Sequence, residues 1–256
     1  MSSVTFLGTG PGDVAAGRFQ SSVLLEVERM RVLLDAGEPC GSQLLEIGVS
    51  LAELDAVWIT HAHADHIGGL PLLLQASWLH GRQRPLPVGV PRHVSAPLRA
   101  WLDAILLPSE ILGFVIEIFS WEAETAIALD GITVLPHRTT HLDRAREKIG
   151  NLNIESFLFE VLAAGKRFIY SGDLGSAEDL RGVVEKPLDV LICELAHFTP
   201  EELVAVLRGA SIGTLCLTHL SRELDERRGD LQMLFERELS SVDAVYLPED
   251  GENLEV

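Results

Sequence analysis

The stretch VWITHAHADHIGGLP, Val57–Pro71, runs from apolar strand-forming residues into three histidines and an aspartate within six positions, with a glycine pair directly behind. Crowding imidazoles together costs solvation unless one ligand serves them all, and a metal ion is the first candidate. His61 and His63 flank the small Ala62. On an extended backbone both rings then point the same way and can bind one ion together. Asp65 and His66 follow where the chain turns toward the helical pattern of LPLLLQASWLHG, which aims them at a second position. Two metal ions about 3.5–4 Å apart can hold a hydroxide between them and stabilise both entering and leaving oxygens. Such a site needs further ligands elsewhere, including a carboxylate that bridges.

Working outward, one apolar run after another ends in a polar cluster. SSVLLEVERMRVLLDAG reads as two strands around a tight charged turn, closing on Asp35. DGITVLPHRTTH ends near His141, GKRFIYSGD at Asp173, LDVLICELAH at His197 and GTLCLTH at His219. Between them, TPEELVAVLRGA and GDLQMLFERELSS have helical spacing, the first with Thr199 as N-cap and Pro200 at the first helical position. Strands alternating with helices argue a layered α/β fold, and polar residues gathered at strand ends argue a shared site along one edge. A lone histidine after a strand is ordinarily a satisfied core or surface residue. His141 and His219 gain their weight from the cluster at His61–His66, whereas His80, His93 and His137 stay ordinary, with His137 a reserve should His141 fail.

At 256 residues, 47% hydrophobic and 23% charged, the chain reads as one large domain over 1–256. Its net charge of −18 argues against a partner gripped through a phosphate backbone, leaving only a small positive rim from clusters such as Arg138, Arg144, Arg146 and Lys148. The N-terminus lacks a basic start and an apolar core, and no uncharged apolar run approaches the ~18 residues of a membrane span. A cytoplasmic protein with no membrane partner is expected. Cys40, Cys193 and Cys216 are scattered without metal-type spacing and read as buried reduced thiols.

HAHADH, a later His, an Asp after SG and a final TH resemble the metallo-β-lactamase superfamily, in an order covering nearly the whole chain. Within it, FLGTG at Phe6–Gly10, FQSSVLLEV, LLDAGE and AHFTPEEL are similar to ribonuclease Z and its phosphodiesterase relatives. The resemblance implies an αββα four-layer sandwich with the metal site at one edge. It implies two divalent ions, zinc with manganese or iron also compatible. His61, His63 and His141 would bind the first; Asp65, His66 and His219 the second; Asp173 would bridge. Asp35 would support the ligands from behind, and Asp65 would also orient the nucleophile or take its proton. His197 matches the family's additional catalytic histidine, in what is usually His-Ser-Thr and is His197-Phe198-Thr199 here.

The expected activity is hydrolysis by a dinuclear metal-bound hydroxide, on a phosphodiester and preferably a small or cyclic one. Transfer RNA is counted against as a partner on two grounds. The charge is one. The other is the absence of a Gly-rich basic arm, where LRAWLDAILLPSEILGFVIEIFSWEAE is apolar and acidic and reads as helices and strand covering the core or the site, with the segment 92–125 a lid or an interface between two copies. LDRAREKIGNLNIESF after His141 is longer and more charged than a compact substrate loop. Two alternatives stand beside this reading. A carbonyl hydrolase (thioesterase, lactonase or β-lactamase) could use the same site, and a non-catalytic component of an assembly could keep the metal for structure. Asp at 173 disfavours β-lactamases with a Cys ligand, and Ala at 62 disfavours a flavo-diiron enzyme.

Overall fold

The hairpin foreseen at Ser22–Leu34 forms around a turn at Glu28 and Arg29, with Glu28 at φ 56°. It lies in the first of two units, Met1–Glu122 with Glu249–Glu255. The computed structural model describes residues 2–150 and 153–256. In this unit the strands β1 (Ser2–Gly8), β2 (Ser22–Val27), β3 (Met30–Leu34), β4 (Ala56–Trp58), β5 (Leu86–Pro91) and β6 (Ile116–Trp121) lie in sheet order, with the C-terminal strand Asn253–Glu255 outside β1. β1, β2 and β3 pair antiparallel; β3 to β6 pair parallel. Parallel neighbours require crossovers, and helices supply them. These are α1 (Cys40–Glu46), α2 (Ala64–Ile67), α3 (Leu70–Leu79), α4 (Arg92–Ala104) and α5 (Ser109–Leu112). Leu24, Leu33, Val57 and Val88 of the sheet bury against Leu44, Leu70, Leu73 and Leu98 of the helices.

The segment 92–125 forms the helices and strand that its sequence suggests, and they cover the core. Val94, Leu98, Leu102, Leu112, Phe114 and Ile116 all belong to this core, and β6 completes the parallel sheet against β5 from Leu86 to Pro91. Its apolar run supplies a strand and the helix that covers it.

The second unit, mainly Ala123–Pro248, repeats the plan. β7 (Ile127–Leu129), β8 (Ile132–Thr139), β9 (Ser156–Ala163) and β10 (Lys166–Tyr170) pair antiparallel; β11 (Leu188–Leu195), β12 (Ile212–Leu220) and β13 (Val242–Tyr246) extend the sheet in parallel. Its helices are α6 (Asp143–Lys148), α7 (Pro200–Leu207), α8 (Arg222–Asp225) and α9 (Arg228–Glu238). α7 starts as its sequence predicts. The Thr199 hydroxyl accepts from Glu202 N at 3.2 Å while the Glu202 carboxylate accepts from Thr199 N at 2.7 Å, a capping box that satisfies two end amides. Leu203, Leu207, Leu231 and Phe235 then cover Leu191, Cys193, Leu215 and Leu217. Among the described residues, no helix is long and apolar enough to cross a membrane.

In both units the predicted site residues fall at or just beyond the carboxyl ends of strands, mostly the parallel ones, where open α/β sheets present their ligand sites. Asp35 follows β3 and His61 follows β4; Asp173 follows β10 and His219 lies at the end of β12.

Candidate functional site

In the first unit, the turn after β4 is built around a buried carboxylate. Asp35 has no exposed surface. It accepts hydrogen bonds from Thr60 N at 2.7 Å, from the Thr60 hydroxyl at 2.8 Å and from His66 Nδ1 at 2.7 Å. Because the carboxylate can only accept, the proton of His66 sits on Nδ1 and the lone pair on Nε2 faces away from Asp35. α2 then sets Asp65 beside that nitrogen, Oδ2 lying 3.3 Å from His66 Nε2. His61 Nε2 and His63 Nδ1 approach to 3.0 Å, and the rings of His61 and His66 lie 4.2 Å apart.

The glycine pair behind the histidines has a packing reason. A Cβ on Gly69 would lie 2.9 Å from the Ala36 carbonyl oxygen and 3.0 Å from that of Gly37, and one on Gly37 would lie 2.4 Å from the Asp65 carbonyl oxygen. The loop after β3 and the loop after β4 can touch only because both positions lack side chains.

In the second unit, Asp173 is 3% exposed and its two oxygens face different imidazoles. Oδ2 lies 3.5 Å from His141 Nε2, and Oδ1 lies 3.4 Å from His219 Nε2. His219 reaches this position by a bulge. Glu194 pairs with Thr218 and Leu195 with Leu220, so His219 is the extra residue, at φ 51°. Such an insertion re-aims one side chain at a site. His197 sits over the group, its Nε2 3.9 Å from Asp173 Oδ2 and its ring 4.6 Å from that of His141.

Two carboxylates that the sequence reading passed over position these groups. Glu194, 1% exposed, accepts from Leu174 N at 3.0 Å, Ala196 N at 2.7 Å and His197 Nδ1 at 2.9 Å. It fixes the His197 ring with Nδ1 as donor and Nε2 outward. The one acid inside the apolar run VLICEL, Val190–Leu195, was the available signal, since a buried charge needs dedicated partners. Asp179 accepts from Thr140 N at 3.0 Å and Gly175 N at 2.9 Å, tying the loop that carries His141 to the loop that carries Asp173. Nothing in the surrounding sequence marks Asp179 out.

The donors suit divalent metal. Imidazole nitrogens and carboxylate oxygens are the usual ligands, and bonds of about 2.1 Å around one ion set ligand atoms roughly 3.4 Å apart. The separations of 3.3, 3.5 and 3.4 Å match that edge. His61, His63, Asp65 and His66 in the first unit, and His141, Asp173 and His219 in the second, are the residues with metal-binding arrangement.

The model of the beta-lactamase superfamily domain matches residues 30–220. A metallo-β-lactamase fold protein of Bacillus subtilis superposes with a TM-score of 0.78 at 20% identity, over 99% of this chain and 98% of that one. The short form of human tRNase Z superposes with a TM-score of 0.75 at 22% identity, over 99% and 98%. The protein is thus a hydrolase with the metallo-β-lactamase fold, as expected from the sequence. The relatives narrow this further. A ribonuclease Z of Pseudomonas putida is 33% identical over 225 residues, 81% of this chain and 69% of its own, and one of Archaeoglobus fulgidus is 25% identical over 99% of this chain and 97% of its own. The chain belongs to the ribonuclease Z family of that superfamily.

Those relatives overturn the expectation that set transfer RNA aside as a partner and favoured only small or short diesters. A net charge of −18 describes the summed field, while a phosphate chain is met by the few groups next to the reacting atoms. The missing arm was sought in Pro91–Ile132, a stretch whose Val94, Leu98, Leu112, Phe114 and Ile116 are core residues in this fold.

Proposed function

We propose that this protein hydrolyses phosphodiester bonds, with RNA as its substrate class, using two divalent ions. The observation that carries the reading is Asp173, whose two oxygens each face a separate histidine as a bridging carboxylate would. His61, His63 and His141 would hold one ion, Asp65, His66 and His219 the other, and Asp173 both. Zinc suits the nitrogen and oxygen donors, and manganese or iron would also be accepted. When bound, such ions lower the pKa of water and neutralise charge developing on phosphoryl oxygens.

The chain's own groups divide the proton work. Asp65 Oδ takes or orients the proton of the attacking water. His197, held at Nδ1 by Glu194, delivers a proton from Nε2 of its imidazolium form to the leaving oxygen, which otherwise departs as a costly alkoxide, and is left neutral with its remaining proton on Nδ1. Asp35 keeps His66 in the tautomer whose Nε2 can bind metal. The three free, buried thiols support work in a reducing compartment such as the cytoplasm.

The test is turnover of bis(p-nitrophenyl) phosphate and of a 3′-extended transfer RNA beside a thioester, a lactone and a β-lactam, with and without chelator. Diester and RNA hydrolysis abolished by chelator, and reduced in His197→Ala that retains its metal, is the expected result. Turnover of a carbonyl substrate alone, indifferent to His197→Ala, overturns the reading.

A further inference from the structure

α6 begins two residues after His141 and buries none of its side chains. Six residues are far too few for a helix to hold itself in water, so its place has to be fixed from outside. The fixings are all at its start. Leu142 is 6% exposed, Arg138 pairs with Asp143, and Thr140 is clamped by Asp179. Beyond that anchor the segment presents Arg144, Arg146 and Lys148 against one remaining acid, Glu147, in a chain whose net charge is −18. Among the described residues, none of those three cations makes an ion pair or a side-chain hydrogen bond. Arg144 and Lys148 stand four positions apart on one helical face, a like-charge arrangement that destabilises an isolated helix. An arrangement kept at that cost, adding nothing to the core and placed directly after His141, is suited to an anion supplied from outside.

We propose that Arg144, Arg146 and Lys148 form a phosphate-contact surface for the single-stranded RNA chain that flanks the scissile bond. The proposal rests on the phosphodiesterase reading above and adds to it the place where the polymer is held. A polyanionic chain is favoured over an acidic peptide because its charges recur at every residue, so a strand that wraps the exposed helix can meet Arg144 and Lys148 on one face and Arg146 on the other. The groups meet phosphates as positioning contacts and carry no base specificity.

The experiment is binding of a short fluorescein-labelled single-stranded RNA to the whole chain by anisotropy across a salt series, with hydrolysis measured separately. The variant is Arg144→Gln/Arg146→Gln/Lys148→Gln, accompanied by each single change. Each lost phosphate contact on a single strand lowers the log–log salt slope by about 0.7, so the triple change lowers it by about 2 and each single change by a share of that. The loss in kcat/KM is expected to be larger for RNA than for bis(p-nitrophenyl) phosphate and to lie mostly in KM. An unchanged slope, an equal loss on both substrates, or wild-type affinity for polyglutamate equal to that for RNA would each overturn the surface. RNA that binds with the expected slope change but is never cut leaves the surface standing and sinks the phosphodiesterase reading; RNA cut normally by the triple variant does the reverse.

Discussion

Replacing Asp35 by Asn tests how the buried carboxylate prepares His66. The carboxylate accepts from three donors: Thr60 N at 2.7 Å on Oδ1, and the Thr60 hydroxyl at 2.8 Å and His66 Nδ1 at 2.7 Å on Oδ2. Asn keeps the shape but has one acceptor and one donor end. With the carbonyl toward Thr60 N, which can only donate, the amide must sit against His66 Nδ1. That nitrogen then has to accept, its proton moves to Nε2, and the atom facing Asp65 at 3.3 Å can no longer bind a metal. Loss of such a supporting bond typically costs 10–100-fold in metal affinity, about 1.4–2.7 kcal/mol. Asn also tolerates the φ of 57° found at this position, so the backbone adds little strain. Ala is the coarser change. It leaves a buried amide, a hydroxyl and an imidazole unpaired at about 1–3 kcal/mol each, on the order of 5 kcal/mol together. Competition against a chromophoric chelator measures the affinity and melting of the metal-free protein measures the fold. The expected outcome is a large affinity loss in Asp35→Asn with a small change in melting. Wild-type affinity in a folded Asp35→Asn protein would refute the tautomer argument.

Glu194→Ala should lower stability by about 3–5 kcal/mol, because the buried amides of Leu174 and Ala196 lose their acceptor, and melting should fall by roughly 10 °C. Glu194→Gln, if it remains folded, should separate kcat from metal content, and unchanged kcat would remove Glu194 from the proton path. Arg82, 1% exposed, donates to the carbonyls of Leu54 at 2.9 Å and Pro85 at 2.7 Å, and burial pulls its guanidinium down to about 10. Arg82→Lys should fail to restore the melting temperature lost in Arg82→Met, since an ammonium cannot reach the same set of carbonyls as a planar fork. Burial raises the Glu160 carboxyl, but hydrogen bonds from Arg167 and His137 outweigh it and hold the group below its ordinary value of 4.5. A depressed carboxyl contributes stability above its unfolded pKa and loses it as pH falls through the folded one. Arg167→Met should therefore destabilise at neutral pH and cost visibly less below pH 4 in chemical denaturation curves. Burial pushes the Cys40 and Cys216 thiols up to about 12 and holds Cys193 well above the ordinary thiol range, so a thiol reagent at pH 8 should label none of them until the chain unfolds.

The site was legible where its chemistry is local. HAHADH declares itself because four potential ligands share one turn, and Asp35, His141, Asp173 and His219 could be found because each ends an apolar run of period-two or continuous burial. The helix at Pro200–Leu207 was readable from its cap. Glu194 and Asp179 were not, for opposite reasons. Glu194 is disguised as a strand residue, and its role depends on backbone amides of Leu174 and Ala196, groups that carry no sequence signature. Asp179 acts across thirty-nine positions on Thr140, a separation at which only the fold decides neighbours.

Charge misled for a similar reason. Summed over the chain it argues against a polyanionic partner, yet the sum counts acids on surfaces such as α7, whose first turn carries Glu201 and Glu202, and α9, whose first turn carries Asp230. At physiological salt an exposed charge is screened within about 8 Å, so these acids do not act on a phosphate held beside His141 unless they lie within that distance. Next along the chain, with Asp143 paired to Arg138, α6 presents Arg144, Arg146 and Lys148 beside the single acid Glu147. The sign of a whole chain therefore bears on its solubility and its long-range approach rates at low salt, whereas the sign of the charges left unpaired on α6 bears on what the site can hold. If that distinction is right, RNA affinity in this protein should weaken with salt as steeply as in a neutral chain bearing the same three contacts. A slope that instead reversed at low salt would mean that the global field, and not the local one, governs binding.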